Sequence, residues 1–131
     1  MIRARNKLLL NDPFFGVLAL KLQVIEDDNL DPPSMGTDGT RLLYHPEFVN
    51  NITDSELRGV IAHEIMHCVY KHMTRRQERD PAKWNQAADY AINPGLIDAG
   101  FDLPEGGLID DQYRDMSTDH IYTLLPDPPE N

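Results

Sequence analysis

Residues 53–72 read T-D-S-E-L-R-G-V-I-A-H-E-I-M-H-C-V-Y-K-H, and this stretch decides the fold. Thr53 and Glu56 have the spacing of a capping box, in which each side chain accepts a hydrogen bond from the backbone N–H of the other residue. A helix of about twenty residues is therefore predicted to begin here. The apolar stripe expected to face the core consists of Leu57, Val60, Ile61, Ile65 and Cys68.

The same helix carries an H-E-x-x-H motif at residues 63–67. Histidines at positions i and i+4 lie about 40° apart around a helix, so His63 and His67 leave the same flank of the apolar stripe. Two imidazoles in this arrangement can bind one zinc ion, and Glu64 can take a proton from a metal-bound water. The motif therefore predicts the active-site helix of a zinc metallopeptidase. The alternative is an amphipathic helix with two surface histidines.

A catalytic zinc site usually has three protein ligands, so one more residue is needed. His72 lies nine positions after His63, about 900° around the helix and on its opposite side, and we expect it to be a surface histidine. Asp89, on the next predicted helix, is the best candidate because it offers a carboxylate. The amide oxygen of Asn85 is a poorer zinc ligand and is the second choice. Asp89 could instead orient one of the histidines through a hydrogen bond.

Two further helices are predicted from their end signals. Asp80 and Pro81 fit the N-cap and the first helical position, and Asn93-Pro94-Gly95 predicts the end of that helix. Trp84, Ala88, Ala91 and Ile92 would form its packing face. A short helix is predicted after Ser117.

Two short strands are predicted before the capping box. Leu18, Leu20, Leu22 and Val24 alternate with other residues, which favours a strand with one buried face. A helix over residues 3–20 is the competing interpretation. Residues 26–38 are predicted to form a loop. Residues 41–45 are predicted to form a second strand, which ends at Pro46.

Length, charge and cysteine content restrict the class of protein. A chain of 131 residues fits one domain, predicted for residues 1–125 with a flexible tail at 126–131. The net charge of −10 argues against a nucleic-acid partner. The sequence has no membrane-spanning run and no signal peptide, and the single cysteine excludes an intramolecular disulfide framework, so a cytoplasmic location is expected. Cys68 is predicted to be a buried neutral thiol rather than a ligand.

Several motifs occur together, in one order, over roughly 110 residues. They are D-P-F-F-G at 12–16, T-D-G at 37–39, L-Y-H-P at 43–46, G-V-I-A-H-E-I-M-H at 59–67, W-N-Q-A-A-D-Y-A-I-N at 84–93, L-P-E-G at 103–106 and I-Y at 121–122. In these segments the chain resembles the family of metallopeptidase domains that, in many bacterial proteins, precede a von Willebrand factor A-like domain. That second domain is missing here, so we expect a stand-alone short form.

The resemblance implies a zincin-like fold of the α+β class, with a small sheet packed on the active-site helix and a second, ligand-bearing helix. It implies His63 and His67 as metal ligands and Glu64 as the general base. It also implies that the Trp-Asn-x-Ala-x-Asp helix matters to the site, which agrees with the choice of Asp89.

The predicted activity is zinc-dependent hydrolysis of a peptide or protein substrate by metal-activated water, with Glu64 as the general base. Residues 41–45 could offer a strand edge to an extended substrate. Tyr90 or Tyr113 could stabilise the oxyanion.

Two other functions compete with an active peptidase. The first is a catalytically silent metal-binding module that holds a partner protein, although a purely structural zinc site has no need for Glu64 and usually has four protein ligands. The second is a latent peptidase whose cleft is covered by residues 1–12 or by the acidic loop at 26–38.

Overall fold

The computed structural model describes residues 2–127, so residues 128–131 of the predicted tail lie outside the described part of the chain. Helices and a small sheet share this part, which confirms the α+β class. The elements, in chain order, are α1 Ile2–Asn11, α2 Pro13–Leu20, β1 Gln23–Glu26, β2 Met35–Thr37, β3 Arg41–Tyr44, α3 Pro46–Asn50, α4 Asp54–Val69, α5 His72–Arg75, α6 Pro81–Asp98, a 3₁₀ turn Asp111–Tyr113 and α7 Thr118–Leu124.

The sheet is mixed and has the strand order β1-β3-β2. Strand β3 pairs in parallel with β1, where Val24 lies opposite Leu42, and antiparallel with β2, where Gly36 lies opposite Leu43. The strand predicted at residues 41–45 is confirmed. It is the central strand, so both of its edges are already paired, and the prediction that it offers an edge to a substrate is wrong. The predicted loop at 26–38 is wrong at its end, because β2 lies there.

The strand predicted from Leu18 to Val24 is wrong over most of its length. Leu18 and Leu20 belong to helix α2, and only Val24 lies in a strand. Leu18 and Leu22 are four residues apart, so the alternating pattern also places both of them on one side of a helical turn. Leu22 is buried, whereas Leu20 is 51% exposed, which agrees with the helical interpretation.

Helix α4 begins with the predicted capping box. The Thr53 hydroxyl accepts from the Glu56 N–H, and the Glu56 carboxylate accepts from the Thr53 N–H. The helix buries Leu57, Val60, Ile61 and Ile65 in the main core, while Cys68 is only half-buried. It ends at Val69, earlier than predicted, because the backbone turns at Tyr70 and Lys71.

Helix α6 begins as predicted, with the Asp80 carboxylate accepting from the Lys83 N–H and Pro81 in the first turn. The predicted stop at Asn93-Pro94-Gly95 is wrong, because the helix continues to Asp98 with Pro94 inside it. A proline removes one backbone donor from a helix. The next turn nevertheless places Leu96 in the main core, where it is 3% exposed, and this burial favours a continued helix.

Two apolar clusters hold the site elements in place. The main core packs α1, α2 and the sheet against α4, and it includes Leu42, Ile61 and Ile65. A smaller cluster joins α6 to α7 around Ala87 and Ile121. The predicted short helix after Ser117 is confirmed as α7, with the Ser117 hydroxyl at its N-cap. Within residues 2–127, no helix combines the length and the apolar character needed to cross a membrane.

Candidate metal centre

The two motif histidines meet in an open cleft of about 580 Å³ between β2, α4 and α6. His63 and His67 lie one turn apart on α4, and their Nε2 atoms are 3.0 Å from each other. Both side chains are mostly buried, at 15% and 11% exposure, but the cleft reaches them. The predicted pair of neighbouring imidazoles is therefore formed.

Asp89 approaches both imidazoles from helix α6. Its Oδ1 atom lies 2.9 Å from His63 Nε2 and 3.3 Å from His67 Nε2. A tetrahedral ion with bonds of 2.0–2.1 Å would separate two of its ligand atoms by roughly 3.3 Å. The three donor atoms are thus spaced as the ligands of one zinc-sized ion. Asn85, the second choice, lines the same cleft one turn before Asp89 and is exposed.

Glu64 lies on the cleft wall beside the two histidines. It is 8% exposed, and ligand atoms of His63, Glu64 and His67 all fall within 4.8 Å of one another. Glu64 could therefore offer an oxygen to a metal, but Asp89 lies closer to both imidazoles and fits that role better. Burial raises the pKa of Glu64, and the two imidazoles only partly oppose this effect.

The Asp89 carboxylate and the His63 imidazole stabilise each other's charged forms. Burial raises the pKa of Asp89, but the hydrogen bonds from His63 and His67 outweigh it and lower the pKa to about 2. Burial lowers the pKa of His63, but its hydrogen bond to Asp89 and the nearby charge of Glu64 outweigh that effect and raise it. Binding of a metal at His63 Nε2 would therefore compete with protonation of this imidazole.

The far nitrogen of His63 is held by Asn93, one turn beyond Asp89 on α6. His63 Nδ1 lies 2.7 Å from Asn93 Oδ1, and Asn93 Nδ2 donates to the Leu108 carbonyl at 2.9 Å. The second bond fixes which end of the amide faces the imidazole, so His63 donates from Nδ1 and leaves Nε2 directed at the cleft. Asn93 follows Asp89 by four residues and so lies on the same face of α6, but in the sequence it was interpreted as part of a stop signal, and this role was missed.

The far nitrogen of His67 meets His72, which the sequence placed on the opposite side of the helix and at the surface. His72 is instead 2% exposed, and its Nδ1 atom lies 3.0 Å from His67 Nδ1. The prediction fails because α4 does not continue: Lys71 adopts a left-handed conformation with φ 55° and ψ 39°, and α5 starts in a new direction. Burial, with His67 and Arg75 nearby, lowers the pKa of His72 to about 4, so this imidazole is neutral at pH 7.

Comparison with known proteins agrees with this geometry. The model of a family described as "Putative metallopeptidase domain" matches residues 1–130. The chain belongs to this family. No curated protein and no solved structure matched the chain.

Three other residues singled out in the sequence do not line the cleft that holds the candidate ligands. Cys68 Sγ contacts the Thr37 hydroxyl at 3.5 Å, and burial raises the pKa of the thiol, so it stays neutral. Tyr90 and Tyr113 pack on each other, with ring centroids 4.8 Å apart, in the apolar cluster between α6 and α7. Neither tyrosine lines the cleft, so the structure does not support the predicted oxyanion role.

The rim of the cleft opposite α6 is formed by strand β2. Met35, Gly36 and Thr37 line the cleft, and the strand order leaves the outer edge of β2 without a partner strand among the described residues. The edge available to an extended chain is therefore β2, not the central strand β3. Of residues 2–12, those whose side chains the structure describes (4–6 and 10–12) do not line the cleft, and they give no support to the N-terminal segment as its cover.

Proposed function

We propose that this chain is a zinc-dependent peptidase in which His63, His67 and Asp89 bind the metal and Glu64 is the general base. The observation that carries the proposal is the convergence of three donor atoms, 2.9–3.3 Å apart, at the floor of an open cleft. Two imidazoles and one carboxylate are the ligand set of several zinc peptidases, which keep a fourth position open.

A bound zinc ion would polarise the substrate carbonyl and lower the pKa of water at the open position. The protein's own part is proton transfer by Glu64, which takes a proton from the attacking water and returns it to the leaving amine. Burial supports this role because it raises the pKa of Glu64 from its ordinary value, and a base works best when its pKa approaches the working pH.

The peptide would bind along β2 in an extended conformation. The free edge of β2 offers backbone N–H and C=O groups to a substrate strand, and this edge borders the same cleft as His63. An edge strand beside the active-site helix also supports the zincin-like assignment of the fold, which is part of the proposal.

The test combines metal analysis with peptide cleavage. We expect about one zinc per chain by plasma mass spectrometry in wild type and in Glu64→Gln, because the variant keeps all three ligands. Wild type should cleave members of a mixed peptide library, and Glu64→Gln should lose about 100- to 10,000-fold of that activity. Glu105→Gln, at an exposed position, is the matched control and should behave as wild type.

Three outcomes would contradict the proposal in different ways. Absence of zinc from the wild type, even after zinc is supplied, would reject the metal site. Iron in place of zinc would point to the oxygen chemistry that two histidines and one carboxylate also support. One zinc with no cleavage of any peptide would favour the metal-binding interaction module.

A further inference from the structure

A histidine that binds a metal through Nε2 must carry its proton on Nδ1, and that N–H needs an acceptor to fix the ring. The two candidate ligands meet this requirement in different ways. His63 has the amide oxygen of Asn93, whose orientation a backbone carbonyl fixes. Among the described residues, the hydrogen-bond partner of His67 Nδ1 is another imidazole, that of His72, at 3.0 Å.

We propose that His72 is a positioning residue for His67, acting through a hydrogen-bonded chain that ends at Thr118. The inference rests on the proposed metal site. Along this series of hydrogen bonds, His67 Nδ1–H donates to His72 Nδ1, and His72 Nε2–H donates to the Thr118 hydroxyl at 2.8 Å. With a metal bound, each imidazole would then have one tautomer, and His67 Nε2 would be left without a proton and free to bind the metal.

The fold holds His72 from several sides. Its backbone carbonyl accepts from Trp84 Nε1 at 2.8 Å, and its ring meets the Trp84 ring edge-on at 5.7 Å. Thr118 is the first residue of α7, and it is 3% exposed. Asp119 beside it pairs with Arg75 and Arg79, which ties the segment around α5 to α7.

Helix α7 would therefore help to position a residue of the site, although it lies far along the chain from the H-E-x-x-H motif. Helix α7 supplies no residue to the cleft wall, yet its Thr118 hydroxyl is the partner of His72 Nε2 and would accept the proton that the ring carries there. The imidazole of His67 would thus depend on α5 and α7, whereas that of His63 depends on α6 alone.

The experiment measures zinc affinity at one fixed neutral pH, by competition with a chromophoric chelator, in the full chain. His72→Phe keeps the ring volume but removes the acceptor, and it should weaken zinc binding about 10- to 100-fold. His72→Asn loses the ring but places an amide oxygen near the position of Nδ1, and it should recover most of the affinity. His120→Phe and His120→Asn, at an exposed histidine of α7, are the matched controls and should bind as wild type.

The two substitutions separate hydrogen bonding from packing, because the two explanations rank them oppositely. Packing alone predicts that His72→Phe binds zinc as well as or better than His72→Asn, since the ring fills the buried space. Either that ranking or wild-type affinity in His72→Phe would overturn the proposal. Thr118→Val provides a test if the His72 variants do not fold: a reduced zinc affinity supports the chain, and an unchanged affinity rejects it.

A second readout does not depend on affinity. In the zinc-loaded wild type, the His67 Nδ1–H proton should be observable by ¹⁵N-resolved NMR and protected from exchange, and in His72→Phe it should exchange rapidly. A protected proton in both proteins would contradict the proposed role of His72. Failure of the wild type to bind zinc would reject the metal site itself, a result distinct from equal binding by wild type and His72→Phe.

Discussion

The two halves of helix α4 differ in what they bury. The first half, residues 54–61, is held by backbone and apolar contacts: the capping box closes its start, and Leu57 and Ile61 lie in the main core. Gly59 lies so close to the chain at Asp102 that an added Cβ would be 1.7 Å from the Asp102 carbonyl oxygen.

The second half, residues 62–69, buries polar groups. Glu64 and His67 are buried and His63 is mostly buried, although all three line the cleft, and burial raises the pKa of Glu64 and so disfavours its charge. This half ends with Val69 43% exposed, just before the left-handed turn at Lys71. The contrast is that capping and close packing hold the first half in place, whereas the second half directs polar side chains into the cleft.

The largest effect should come from removing Asp89, the proposed ligand that α6 places beside the second half of α4. Asp89→Ala is expected to weaken zinc binding by more than about 100-fold, the upper end for residues that act only through a ligand. Asn85→Ala should change the affinity little. Isothermal titration with zinc checks both variants, and the reverse ranking would make Asn85 the ligand.

A change in the first half should affect stability but not the metal site. Gly59→Ala is expected to lower the free energy of unfolding by about 3 kcal/mol, because the backbone at Asp102 has to move. Gly95→Ala is the matched control, because Gly95 lies in helix α6 and the added Cβ would have no heavy atom within 4 Å. This variant should raise the free energy of unfolding by about 0.5–1 kcal/mol. Urea unfolding measures both values, and zinc bound per folded chain should stay at the wild-type level.

The polar environment of the second half should also destabilise the metal-free protein in acid. The folded pKa of His72, about 4, lies below its ordinary value of 6.5, so between these values the unfolded chain binds more protons. Stability should therefore fall as the pH is lowered from 6.5 to 4, by about 3 kcal/mol at most from this group. His72→Phe should lose less stability over the same interval. Parallel curves of unfolding free energy against pH would contradict this.

The smallest effect is expected at the capping box. Thr53→Ala removes the hydroxyl that accepts from the Glu56 N–H and should lower the free energy of unfolding by about 1 kcal/mol. Thr53→Ser keeps the hydroxyl and should retain most of that stability. A loss of zinc affinity in Thr53→Ala, at temperatures where the chain is folded, would show that the two halves are less independent than the contacts suggest.

The first half of α4 could be predicted because its signals are local. The Thr53–Glu56 spacing and the four-residue step from His63 to His67 depend on helix geometry alone. Asp89 was chosen as a carboxylate on a neighbouring helix, and the structure places it beside both imidazoles.

The failures at α6, β2 and His72 have different physical causes. Helix α6 continues through Pro94 because its last turn reaches the core, and the sequence around Pro94 does not indicate that burial. Strand β2 has only three residues, too few for a pattern. His72 was misplaced because a left-handed lysine is uncommon, and a continuous helix was the better expectation from the sequence.

The turn at Lys71 changes what counts as the motif. His72 follows His67 by five residues, and it reaches that imidazole only because one residue between them adopts a positive φ. A designer who transplanted H-E-x-x-H alone onto another helix would copy two imidazoles but leave His67 without the His72 ring that contacts its Nδ1 atom. The smallest portable unit is the ten-residue segment from His63 to His72, helix break included, and a single-residue deletion within Cys68–Lys71 would be enough to separate its parts.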